Sequence, residues 1–114
     1  MAVGTPAITT HVLDTSRGLP AAGMPILLHV WGNGWNPAGR AVTDAAGRAT
    51  QILAIPLRKG VWRITFDLAT WFGAEGIESF YPTAVIEFHV RDAGQHYHVP
   101  LLLSPFGYST YRGS

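Results

Sequence analysis

Apolar and polar residues alternate with a period of two through most of this chain, and glycine or proline breaks the alternation every few residues. Successive side chains of a β-strand point to opposite faces, so a strand buried on one side reads this way. Residues 24–31 place Met24, Ile26, Leu28 and Val30 on one side. Residues 61–72 set Trp62, Ile64, Phe66 and Leu68 against Arg63, Thr65 and Asp67, which predicts a half-buried strand. Residues 83–91 set Ala84, Ile86, Phe88 and Val90 against Glu87, His89 and Arg91. Further strands are predicted over 7–14, 40–43, 49–55, 96–104 and 108–114. Gly18, Pro20 and Gly23 mark a turn after the first strand, and residues 32–39 read as a loop with three glycines and a proline. DAAGR, residues 44–48, is a turn in which Gly47 can take positive φ. AEGIES, residues 74–79, is the one helical candidate. Short strands joined by tight turns predict an all-β chain, an antiparallel β-sandwich with one short helix, each sheet burying one face. With no repeat and no linker, residues 1–114 read as a single domain.

Composition narrows the function classes. Hydrophobic residues make up 47% of the chain and charged residues 13%, against about 25% charged in typical domains. That share excludes a disordered chain and predicts an oligomer that covers apolar surface. The formal net charge is +1 with no basic stripe, which argues against nucleic acid as a partner. Without cysteine there is no disulfide, no thiolate metal site and no thiol nucleophile, a composition compatible with the reducing cytoplasm. No apolar run approaches the ~18 residues of a membrane span. The first residues lack a basic segment followed by a long apolar one, so the chain is expected to be mature and soluble, without a signal peptide.

The last stretch, HYHVPLLLSPFGYSTYRGS, holds the densest chemistry, although chain ends are usually dispensable. If a three-residue PFG loop joins Ser104 to Tyr108, His98 lies opposite Ser114. His96, His98, Thr110, Arg112 and Ser114 then share one face, and Tyr111 points the other way. A one-residue slip would reverse every facing. For a β-domain in general, a paired terminal strand needs no further reason than pairing, and a strand histidine is more often packed or solvated than catalytic.

HVLDTSRGLPA near the start, TDAAGR in the middle, ESFYPTAVIEF at 78–88 and HYHVPLLLSPFGYSTYRGS at the end resemble the 5-hydroxyisourate hydrolases, the transthyretin-related enzymes of purine catabolism. The likeness runs from about Ile8 to Ser114, and the terminal YRGS resembles the signature that separates the hydrolases from the hormone-carrying transthyretins. DAAGR in place of DADGR or DKDGR, FYP in place of FFP, and a shortening around residues 52–60 depart from the family pattern without touching the motif histidines.

The resemblance implies a transthyretin-like sandwich of two four-stranded sheets and a homotetramer, a dimer of dimers with active sites between the dimers. It implies hydrolysis of 5-hydroxyisourate to 2-oxo-4-hydroxy-4-carboxy-5-ureidoimidazoline in urate degradation, with no cofactor. By position in the motifs, His11, Arg48, His98 and Ser114 match the catalytic set, and His11, Arg48 and Tyr111 match the substrate contacts. His98 or His11 would be the general base, Arg48 would bind the substrate's oxygens, and Ser114 would orient the water or a histidine. His96 reads as a packing or supporting residue, and His29 and His89 as surface or interface residues.

Two other readings compete. A transthyretin-like carrier without turnover shares the fold, and YRGS with the two motif histidines argues against it. A sugar-binding sandwich would suit four tryptophans, but Trp62 lies on a core face and the terminal motif is left unexplained. His96-x-His98 with His11 as a third ligand resembles some zinc sites. No carboxylate or cysteine accompanies them in the motif, and the resemblance implies chemistry without a required metal, so no metal is expected.

Overall fold

The long alternating runs become one regular antiparallel sheet. β3 (Pro25–Trp31), β4 (Trp35–Val42), β6 (Gly60–Asp67) and β7 (Thr83–Val90) pair in the order β4-β3-β6-β7. Ile26, Leu28, Val30, Trp62, Ile64 and Phe66 point inward and are buried. The computed structural model describes residues 7–114 of the chain, so most of the stretch read above for a signal peptide lies outside the described residues.

The facing sheet is built around β1 (Ile8–Asp14). β1 pairs antiparallel with β2 (Leu19–Pro20) and β5 (Arg48–Ala49), and parallel with β8 (Tyr97–His98) and β9 (Leu101–Ser104). β10 (Gly107–Thr110) closes the edge against β9. The two-sheet sandwich with one helix is the architecture expected, though this sheet has six short segments and β1 takes parallel partners. The expected strand 96–104 is split around Val99 and Pro100, and proline has no N–H to give a ladder. Thr10 Oγ1 donates to the Val99 carbonyl at 2.6 Å and Thr110 Oγ1 to the Pro100 carbonyl at 2.7 Å, satisfying the carbonyls at the break.

Three other expectations are corrected. The helix is α1 (Leu68–Ala74), not residues 74–79, so the strand expected through residue 72 ends at Asp67. Asp67 caps it by accepting from the Thr70 N–H at 3.1 Å, and Leu68, Trp71 and Phe72 bury at helical spacing. Up to Leu68 the two periods agree, which is why alternation alone overruns. Residues 35–39, expected as loop, belong to β4, an edge strand where Pro37 costs no ladder bond toward solvent. The expected strand 49–55 contracts to β5 and a bridge between Gly39 and Leu53.

Candidate active site

Odd-numbered positions of β1 turn away from the core. Thr9 and His11 lie on that outer face, while Ile8 and Val12 are fully buried on the other. Pairing brings partners to the same face: His11 is opposite Arg48, and Thr9 is opposite His98. One face of one strand therefore collects two imidazoles and a guanidinium from three parts of the chain.

The DAAGR turn presents Arg48. The Asp44 carboxylate accepts the N–H groups of Ala46 and Arg48, both at 2.9 Å. Gly47 has φ of 77°, and its carbonyl accepts from the Val12 N–H at 2.7 Å. His11 Nε2 lies 2.9 Å from the Ala46 carbonyl oxygen. A carbonyl only accepts, so this nitrogen carries the proton and the lone pair of neutral His11 is on Nδ1. Among the described residues Arg48 makes no salt bridge, which leaves its planar fork open to an anionic or carbonyl ligand.

His98 is half-buried. Thr9 Oγ1 stands 2.7 Å from His98 Nδ1 and 2.9 Å from His96 Nε2, and the two rings stack with centroids 6.2 Å apart. Desolvation lowers the His98 pKa below the usual imidazole value of 6.5, with the neighbouring His96, Arg48 and His11 charges acting in the same direction. His98 is thus held neutral, with an available lone pair, at neutral pH.

The terminal register differs from expectation by one residue. Gly107 pairs with Ser104, so the hairpin loop is Pro105–Phe106 and not PFG. His98 consequently bridges to Gly113, not Ser114, and the Gly113 N–H donates to the His98 carbonyl at 2.9 Å. A Cβ on Gly113 would stand 2.5 Å from His98 Cδ2, so only glycine lets the tail lie against the imidazole. The slip also reverses the facing of Arg112. Its guanidinium stacks 4.7 Å over the Tyr97 ring and donates to Gln95 Oε1 at 3.2 Å, fastening the tail.

Two depressions meet at His98. One, of about 370 Å³, is lined by Thr9, Arg48, His96, His98 and Ser114. The other, of about 230 Å³, is lined by His98, Tyr111 and Arg112 with Phe88 and Tyr97. Arg48, His98 and Ser114 thus come together, Tyr111 sits across the imidazole from them, and His11 flanks Arg48 outside both linings. Among the described residues no cluster of three or more His, Asp or Glu side chains is arranged to hold a metal ion. Reading the motifs missed three residues that shape this site: Thr9, Asp44 and Gly113. The turn signal at Asp44 was visible in sequence, whereas nothing along the chain ties Thr9 to a histidine 89 positions away.

A β-sandwich whose outer sheet face gathers imidazole, guanidinium and hydroxyl groups has the equipment of an acid–base hydrolase. A model of the HIUase/Transthyretin family matches residues 8–113, and this chain belongs to that family. It is 44% identical to the 5-hydroxyisourate hydrolase of Deinococcus radiodurans over 117 residues, covering 97% of this chain and 98% of that one. Among solved structures it resembles Klebsiella pneumoniae 5-hydroxyisourate hydrolase, with TM-score 0.83 and 39% identity over 94% of this chain and 98% of the other. It also resembles Sparus aurata transthyretin, with TM-score 0.87 and 29% identity over 95% and 97% of the two chains. No helix among the described residues is long and apolar enough to cross a membrane.

Proposed function

We propose that this chain, working as one domain, hydrolyses 5-hydroxyisourate to 2-oxo-4-hydroxy-4-carboxy-5-ureidoimidazoline. The observation that carries the reading is a desolvated, neutral His98 sharing a cleft with an Arg48 that has no carboxylate partner among the described residues. Hydrolysis of a cyclic acyl C–N bond needs those two elements. Water attacks the ring carbonyl as His98 takes its proton, and the oxyanion that forms is stabilised by Arg48. The C–N bond then breaks, the nitrogen leaves with a proton, and the acyl carbon becomes a carboxylate. Ser114 orients the water, and His11 and Tyr111 hold the substrate ring. Ser114 as nucleophile is less well supported, since no acidic residue accompanies it in the terminal motif.

The same reading includes a homotetramer, a dimer of dimers, and a cytoplasmic location. Arg48, Ser114 and Tyr111 all lie on an open sheet face. Phe80 is 69% exposed and Phe106 76% exposed, and Phe80, Tyr81 and Tyr108 form an edge-to-face aromatic row beside β10. Exposed aromatic clusters of this kind mark surfaces that another chain covers. The cytoplasm suits a chain without cysteine.

The test is direct. The substrate is generated from urate in situ and its ultraviolet absorbance is followed with and without the protein. Accelerated decay supports the hydrolase. Decay at the spontaneous rate, with the compound still bound, would make the chain a carrier. Sedimentation velocity checks the assembly.

A further inference from the structure

A single threonine hydroxyl stands between two imidazoles. Thr9 Oγ1 is within hydrogen-bond distance of His98 Nδ1 at 2.7 Å and His96 Nε2 at 2.9 Å. Thr9 is buried at 6% exposure, so these two rings are the partners its hydroxyl meets among the described residues. A hydroxyl has one proton to give and lone pairs to receive with. With both rings neutral, it donates to one ring and accepts an N–H from the other. The two histidines therefore cannot choose tautomers independently.

Only two arrangements satisfy all three groups. In one, the hydroxyl donates to His98 Nδ1, and the proton of neutral His98 must sit on Nε2, which leaves no lone pair for a water proton. In the other, His98 Nδ1–H donates to Thr9, and the hydroxyl donates to His96 Nε2. His98 Nε2 is then bare.

We infer that Thr9 and His96 are positioning residues that fix His98 in its Nδ1–H tautomer, so that Nε2 is the base. The inference rests on the hydrolase reading. Neither residue needs to touch substrate. When Nε2 takes the proton from water, Nδ1–H remains a donor to Thr9, whose own O–H remains on His96. The chain polarises and stabilises the imidazolium without moving a second proton. His96, His11 and Arg48 are the charged or titratable groups that face this ring. His96 must be neutral at Nε2 to accept, so its protonation uncouples the chain from the far end.

The test uses the full-length protein with ¹⁵N-labelled histidine. Long-range ¹H–¹⁵N spectra at neutral pH, without substrate, should show His98 and His96 both protonated at Nδ1 and bare at Nε2. Thr9→Val keeps the shape and removes the hydroxyl. It should lose the His98 tautomer preference and lower kcat by about 10- to 100-fold with little change in KM. Thr9→Ser should restore both. His96→Phe removes the acceptor, freeing the hydroxyl to donate to His98, and should lower kcat similarly. A wild-type spectrum with His98 protonated at Nε2 would overturn the inference. So would a folded Thr9→Val or His96→Phe enzyme with unchanged kcat. If the wild type shows no hydrolysis, the functional reading fails, while the spectra still decide the tautomer.

Discussion

The two sheets of this sandwich were built under different demands. The sheet β4-β3-β6-β7 consists of strands of seven or eight residues in continuous register apart from one bulge near His29. The sheet around β1 is made of six segments, three of them only two residues long. The first sends Trp62 and Phe66, both fully buried, into the core. The second carries nearly every group with chemistry. Regular pairing commits each outward residue to a cross-strand neighbour, as Arg63 is committed to Glu87 at 2.5 Å. Interrupted pairing lets turns and chain ends deliver Arg48, His98 and Ser114 to one spot. Stability and catalysis should therefore separate by sheet.

The largest expected effect is His98→Ala. It should lower the hydrolysis rate by about 10²–10⁴-fold while costing about 1 kcal/mol of stability at most, because Thr9 keeps His96 as a partner. Denaturant titration alongside the absorbance assay checks both. A variant that unfolds would erase the distinction between the sheets. Trp62→Ala is the converse. Trp62 is fully buried, and its loss should cost about 3–5 kcal/mol, with the rate per folded molecule unchanged below the unfolding transition.

Gly113→Ala sharpens the comparison inside the irregular sheet. The added methyl meets the His98 ring, and a displacement near 1 Å costs on the order of 10²-fold in rate. Thermal unfolding should shift little, since the Gly113–His98 main-chain bond is untouched. The pH profile follows from the depressed His98 pKa. The base is lost only when pH falls below the usual imidazole value of ~6.5, so the acid limb of kcat/KM should lie lower than for a solvated histidine. The same depression means the folded state binds fewer protons than the unfolded in that window. Stability should then be full above pH ~6.5 and decline as pH drops through the folded value. The smallest effect is Glu87→Gln on the regular sheet: under about 1 kcal/mol, with no change in rate.

The sequence on its own determined the sandwich, the inward faces of β3, β6 and β7, the turn that carries Arg48, and the family. Each is local: alternation, glycine at positive φ, or a contiguous motif. It misjudged the helix because strand and helix periods coincide at Leu68, with Asp67 deciding between them as a cap. It misjudged the tail by one residue because a two-residue and a three-residue hairpin loop look alike until the strands pair. That slip exchanges Ser114 for Gly113 opposite His98 and sends Arg112 to Tyr97. Thr9 became visible only when β1 and β8 lay side by side, since a hydrogen bond across 89 positions depends on parallel pairing and leaves no periodic trace. Side-chain types follow from the chain, but which of them meet is set by register, and register is decided by the whole packed sheet.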